Sequence, residues 1–356
     1  MTQQRIRKLA AAGTVAAVVA APLAASAVTQ AASASGSSGV EIVARGLNGP
    51  SEIQFGPGNQ LYIANRDTGD VVKSALKGGN GKVIFNLIGN SGVAPVSSTT
   101  TFTLDGDTGE SHGDTLYRGN PQTGKSKRVA DLLAFEKAHN PDGQKQCTGN
   151  NCDELSNAYY LLRTSRSQVL VADAGANDIV SFNPQTAKLH LFHVFPNIRD
   201  TAKCKYAENN DPQHPGCDAV PTGMALGPNG TLFVSLLGAE SPGAAKVVEL
   251  DLSSGDVIRT FGHLSQVDGV AVSPNGVIYA SELEAGFNPQ NPDLNTTGKI
   301  IQITPGVGRK ELQVATPSGL AWFDGALYAG AHSVDGLFTG QPNRGQVLRI
   351  SPSAFS

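Results

Sequence analysis

Six short alternating runs punctuate this chain, and the residues that open them carry its densest oxygen chemistry. Glu52, Asn157, Thr222, Asp268 and Ser318 stand at such openings, with Val93 at the matching place in a weaker run. Carboxylate and amide oxygens brought to one axis would suit a hard divalent cation such as calcium. The plainer reading, that these groups cap strand ends and hold channel water, stands ahead of it. Asn65, Asp173, Glu282 and His332 follow the second run of their units and could form an outer ring, although side chains of these types read first as solvated. His112, His139 and His214 fall in separate insertions with no paired spacing, so they read as loop residues before metal ligands. The sequence has no G-x-S-x-G elbow, no H-E-x-x-H and no EF-hand loop. It also lacks C-x-x-C-H and any His/Arg constellation for a quinone or heme oxidoreductase. The GGNGK run, Gly78–Lys82, lacks the Ser/Thr and spacing of a phosphate loop and reads as a turn.

The elements that must position these residues are hairpins. PTGMALGPNGTLFVS (Pro221–Ser235) is an apolar alternating run, a Gly-Pro-Asn-Gly turn and a second such run, the pattern of two tightly joined strands. Near-copies are PSEIQFGPGNQLYIA (Pro50–Ala64), DGVAVSPNGVIYAS (Asp268–Ser281) and PSGLAWFDGALYAG (Pro317–Gly330), with a looser copy at Asn157–Asp173. Two further β-rich runs follow most copies, such as AKVVELD (Ala245–Asp251) and DVIRTF (Asp256–Phe261). A degenerate sixth unit lies between Ser91 and Leu132. First strands recur at a mean interval of about 53 residues, longer than familiar propeller repeats because loops are inserted.

The last unit supplies only three strands, ending in GQVLRI (Gly345–Ile350), and VEIVA (Val40–Ala44) is available at the other end. An N-terminal strand completing the last blade would remove an exposed edge. The expectation is an all-β, six-bladed β-propeller over residues 40–351. Its long loops, Asp105–Asp114, Leu133–Ser156, Pro196–Val220, Leu283–Thr297 and Ala331–Arg344, would share one face, with a short helix at Ala130–His139. Trp322 would pack between blades.

Residues 1–27 read as a secretory signal peptide: Arg5, Arg7 and Lys8, an Ala/Val/Leu run, and Ala25-Ser26-Ala27. Residues 28–39 read as a flexible lead-in. Without Arg-Arg the general secretory route is expected. Cleavage leaves 24 basic against 30 acidic residues, a net −6, so nucleic acid and membrane are poor partners. In an exported chain, Cys147/Cys152 and Cys204/Cys217 read as two local disulfides ahead of a zinc site, which would want paired His.

The segments ADLLAFEKAHNPDG, VADAGANDIVSFNP, PTGMALGPNGTLFVS with PGAAKV, and the terminal GQVLRI together resemble the ScyD/ScyE family of exported bacterial β-propellers, over roughly Val40 to Ile350. That resemblance implies a six-bladed fold related to NHL-repeat and gluconolactonase-like propellers, and no settled reaction. Gluconolactonase-like propellers hold a metal on strand starts with these residue types. By that likeness Glu52, Asn157 and Asp268 would ligate calcium or a similar ion, with Thr222 and Ser318 at the channel mouth. Such an ion would polarise a lactone or ester carbonyl for attack by bound water. Those enzymes supply a second Asn, which Val93 and Thr222 replace poorly. The first expectation is therefore an exported, monomeric binding module for a small molecule, glycan or protein. The alternative is a metal-dependent lactonase or esterase.

Overall fold

Each blade is a four-stranded antiparallel meander, because tight Gly/Asn turns join β-branched and aromatic runs of four to eight residues. The computed structural model describes residues 39–76, 79–106, 113–148, 151–199, 202–204, 215–288 and 292–356, without the side chains of 146–148 and 151–153. The expected signal peptide, His112 and His214 lie outside the described residues.

After β1 (Val40–Leu47), the first blade comprises β2 (Pro50–Gly56), β3 (Gln60–Asn65), β4 (Asp70–Ser74) and β5 (Lys82–Asn86). The degenerate unit is a complete second blade: β6 (Val93–Ser97), β7 (Thr100–Asp105), β8 (Thr115–Asn120) and β9 (Lys125–Asp131). Helix α1 (Leu132–His139) follows it, and then a small hairpin of β10 (Gln146–Thr148) and β11 (Asn151–Asp153). The third blade is β12 (Ala158–Arg163), β13 (Val169–Asp173), β14 (Asp178–Asn183) and β15 (Lys188–Val194). The fourth is β16 (Pro221–Leu226), β17 (Thr231–Leu236), β18 (Ala245–Asp251) and β19 (Val257–Leu264). The fifth is β20 (Val267–Val272), β21 (Ile278–Glu282), β22 (Lys299–Thr304) and β23 (Gly308–Gln313). The sixth joins β24 (Leu320–Phe323), β25 (Ala326–Ala331) and β26 (Gly345–Ile350) to β1 as its outermost strand. Val40 pairs with Ile350 and Leu47 with Gly345, so head and tail close the ring as the strand count requires.

Two boundaries differ from the sequence reading. The helix starts at Leu132, not Ala130, because Asp131 ends β9 and caps the helix by accepting the Ala134 N–H at 2.9 Å. KELQVAT (Lys310–Thr316) reads from sequence as one strand, but β23 ends at Gln313, and the left-handed backbone of Thr316 (φ 35) turns the chain into Pro317.

The core lies between blades. Phe55 of the first stacks on Phe323 of the sixth at 4.0 Å, Phe102 of the second meets Phe182 of the third edge-on at 5.8 Å, and Tyr279 stacks on Trp322 at 5.5 Å. Each fully buried Leu, Ile or Phe contributes roughly 1.5–3 kcal/mol, so the inter-blade layers dominate stability.

Around the axis, hydroxyls tie neighbouring blades. Ser51 donates to the Ser91 carbonyl (3.0 Å), Ser91 to Ala158 (3.3 Å), Thr222 to Val267 (3.0 Å), Ser281 to Ser318 (2.8 Å) and Ser318 to Ser51 (3.2 Å). Gly269 and Gly319 permit this approach: a Cβ there would lie 2.6 Å from the Ser318 carbonyl oxygen and 2.5 Å from that of Ser51.

Cys204 and Cys217 form the expected disulfide. Cys147 and Cys152 stand opposite each other in the β10–β11 register, but their side chains lie outside the described residues. Among the described residues no helix is long and apolar enough to cross a membrane.

Candidate ligand pocket at the channel mouth

Four innermost strands share one irregularity. The pairing register slips between Pro50 and Glu52, Ala158 and Tyr160, Pro221 and Gly223, and Val267 and Gly269. The extra residue in each is Ser51, Tyr159, Thr222 or Asp268. A bulge of this kind re-aims a side chain: Ser51 reaches the Ser91 carbonyl of the next blade, and Tyr159, Thr222 and Asp268 line a pocket. Glu52 therefore sits one residue further along its strand than Thr222, Asp268 and Ser318. It is level with Gly223, Gly269 and Gly319.

Glu52 is fully buried, and its carboxylate is occupied. Oε2 accepts the N–H groups of Val93 (2.9 Å) and Leu161 (3.1 Å), and Oε1 accepts the Gln54 amide (2.9 Å). It joins the first three blades beneath the pocket. Burial pushes its carboxyl well above the ordinary range, against the pull of those three donors.

Above it, Asp268 accepts the Tyr159 hydroxyl at Oδ1 (2.8 Å) and the Ser318 hydroxyl at Oδ2. Burial raises its carboxyl pKa, offset in part by Arg66, Ser318 and Tyr159. Arg66, which follows β3, donates from Nη1 to the Tyr159 hydroxyl at 2.6 Å and lies 5.7 Å above that ring. Burial works against the Arg66 charge, yet Tyr159, Asp268 and Asp67 together hold its pKa above the ordinary value. The Tyr159 phenol is pushed up, mainly by burial. The result is a relay across the mouth, Arg66 to Tyr159 to Asp268.

The pocket encloses a cavity of about 50 Å³ that widens into an open mouth, about 640 Å³ of empty space when open solvent is included. Asn157, Thr222 and Ser91 join the relay on its floor, and Ala174, Val220, Leu237 and Leu283 give it apolar walls. Glu240, Gln266 and Glu284 line it from the connections on the long-loop side. Val220 (φ 55), Gln266 (φ 50) and Glu240 (φ 57) all hold left-handed backbone, which is rare for a β-branched residue such as Val220 and concentrates at binding sites.

Of the residues singled out from sequence, Asn157, Thr222 and Asp268 meet in this pocket, while Glu52 lies beneath it and Ser318 bonds Asp268 from the sixth blade. Among the described residues, no group of three or more His, Cys, Asp or Glu side chains is arranged to hold a metal ion. As placed, Glu52 and Asp268 spend their oxygens on N–H and O–H donors, and Arg66 already brings a positive charge, so this donor set does not fit a cation without rearrangement.

The outer ring is not solvated. Asn65, Asp173 and Glu282 are buried, and two of them serve the connecting loops: Asp173 accepts the N–H groups of Asn157, Gly175 and Ala176, and Glu282 that of Ser265. His332 pairs with Asp335 at 3.0 Å. The His139 Nδ1 lies 2.8 Å from the Phe135 carbonyl oxygen, within its own helix. Sequence reasoning missed Arg66 and Tyr159. Aligning P-S-E, A-Y-Y, P-T-G, V-D-G and P-S-G would have found Tyr159 as the counterpart of Asp268.

No known protein-family pattern matches the sequence, and no curated protein matches it. Solved structures do resemble the fold. A calcium-binding protein, regucalcin, from Agrobacterium tumefaciens superposes with a TM-score of 0.56 at 13% identity, covering 88% of this chain and 93% of its own. The PQQ-bound aldose sugar dehydrogenase of Streptomyces coelicolor gives 0.52 at 13% identity, covering 88% and 98%. A protein assigned to the gluconolactonases gives 0.50 at 13% identity, covering 88% and 91%. These neighbours carry different chemistries, and at such identities the likeness establishes the six-bladed propeller alone.

Proposed function

We propose that this chain is an exported binding module that takes a small organic acid into the channel-mouth pocket, with Arg66 reading the acid group. The carrying observation is the state of Arg66. It is only 9% exposed and lines the pocket, and its one side-chain hydrogen bond among the described residues goes to Tyr159. A guanidinium has five N–H donors in a fork that matches a carboxylate, and in a poorly hydrated site such a pair is strong. The apolar walls suit a hydrocarbon body, as in most small-molecule sites. The acidic residues on the loop side favour a ligand whose outer end carries hydrogen-bond donors.

A thermal-shift panel of carboxylic acids, each beside its own primary amide, tests this. Acids should raise the melting temperature more than their amides, and Arg66→Gln should abolish the difference. A panel without discrimination, or the same discrimination in the variant, would overturn the proposal.

The second reading, a divalent-cation-dependent lactonase or esterase, draws on Asn157 and Asp268, which share the pocket wall. It requires Asp268 to release Tyr159 or Ser318, and Glu52 to release its backbone donors. Calcium-stimulated lactone hydrolysis lost in Asp268→Ala would favour this reading over the first.

A further inference from the structure

Between α1 and the third blade lies a group of buried oxygens to which the chain supplies no hydrogen. Asp178, the first residue of β14, is fully buried, and neither of its carboxylate oxygens has a hydrogen-bond partner. Glu136, on the buried face of α1 and 2% exposed, leaves Oε2 in the same condition. Asn140, just past the end of α1, leaves its buried Oδ1 without a partner.

The chain's own bonds bring these groups to one place. The Asn140 N–H bonds the Glu136 carbonyl at 2.7 Å, fixing that amide one turn from the carboxylate. Asp142, two residues on, accepts the side-chain amide of Asn177, the neighbour of Asp178, at 3.0 Å. Asp178 stands opposite Asp173 in the β13–β14 register, and both Asp173 and Glu136 act on it electrostatically. The surrounding acids are otherwise engaged. Asp173 accepts the Ser156 hydroxyl (2.5 Å) and three backbone N–H groups, and Asp142 accepts from Gln144 as well as Asn177.

Both carboxylate oxygens of Asp178, Oε2 of Glu136 and Oδ1 of Asn140 thus lack donors, and no lysine or arginine is paired to either acid among the described residues. Leaving such groups desolvated and unpaired is costly, and a hard cation, which takes oxygen ligands, is the kind of group that would satisfy them.

We propose that Glu136, Asn140 and Asp178 form a calcium site that pins α1 and the Asn140–Gln144 loop to the third blade. Mixed carboxylate and amide oxygens on irregular backbone suit calcium, which tolerates uneven geometry, better than magnesium, which demands an octahedron. With only two acids the site is not one of the acid-rich clusters absent above, and water completes the shell. It is separate from the channel mouth, but Asp173 links the two: its Oδ1 holds the Asn157 N–H at 2.6 Å, and Asn157 lines the pocket.

Calcium titration of the chelator-treated full chain, by calorimetry and by thermal melting, tests the assignment. Saturable heat and a rise in melting temperature of about 2 °C or more are expected. Asp178→Asn and, independently, Glu136→Gln should fold and lose both responses, since each replaces a buried carboxyl group whose oxygens lack partners with a neutral amide of the same shape. Asp268→Ala should retain them, which separates this site from a channel ion. No response up to about 5 mM calcium, above the working range of extracellular calcium modules, would overturn the proposal. So would a response that survives in both Asp178→Asn and Glu136→Gln, or an equal response to magnesium.

Discussion

The Tyr159 hydroxyl reaches across the fourth blade's innermost strand to donate to Asp268 at 2.8 Å, joining the third blade to the fifth. Both are bulged residues, and Tyr159 is the side-chain hydrogen-bond partner of Arg66. Removing the phenol oxygen leaves Arg66 without its side-chain partner and Asp268 with Ser318 alone. Tyr159→Phe should lower unfolding free energy by about 1–3 kcal/mol in urea melts, the usual cost of leaving buried polar groups unmade. A change within error would show that the relay does not stabilise the fold.

The close approach of innermost strands predicts a sharp glycine effect. A Cβ at position 269 meets the Ser318 backbone, which cannot swing away, so Gly269→Ala should cost about 1–3 kcal/mol. Gly262, where a Cβ would meet nothing within 4 Å, is the control, and Gly262→Ala should be neutral. Equal effects in chemical denaturation would contradict the tight ring.

Ring closure makes the N-terminal strand indispensable. A chain beginning at Gly39 keeps β1, whereas a chain beginning at Asn48 lacks it and exposes the β26 edge. The shorter chain should unfold at much lower urea and associate on sizing columns. A monomer of unchanged midpoint would refute the closure.

Glu52 gives a pH signature. Its carboxyl sits well above the ordinary value of 4.5 because it is buried, so the folded chain holds that proton more tightly than the unfolded chain. Such a group contributes stability that is full below 4.5 and lost as pH rises through the raised value. As pH rises from 4.5 through that raised value the wild type should lose more stability than Glu52→Gln. Parallel pH profiles of the melting temperature would show that Glu52 titrates normally.

Much of the architecture is legible in the residues. Gly-Pro-Asn-Gly turns between alternating runs locate the hairpins, and a final unit one strand short of its fellows points to closure by Val40–Ala44. The site was harder to read because strand periodicity is two: one bulge residue separates Glu52 from its apparent equivalents and turns it into an inter-blade tie. Arg66 carries no local pattern at all. Its importance comes from Tyr159, 93 positions away in the chain. The orphan oxygens of Glu136 and Asp178 likewise exist only once α1 is folded against the third blade.

The central claim is that Arg66 reads an acid in the channel mouth. Calorimetric titration of the best acid from the paired panel, into wild type and into Arg66→Gln, tests it most directly. The account predicts binding to the wild type weakened at least about tenfold in the variant, the equivalent of about 1.4 kcal/mol. Equal affinity in the two proteins would contradict it.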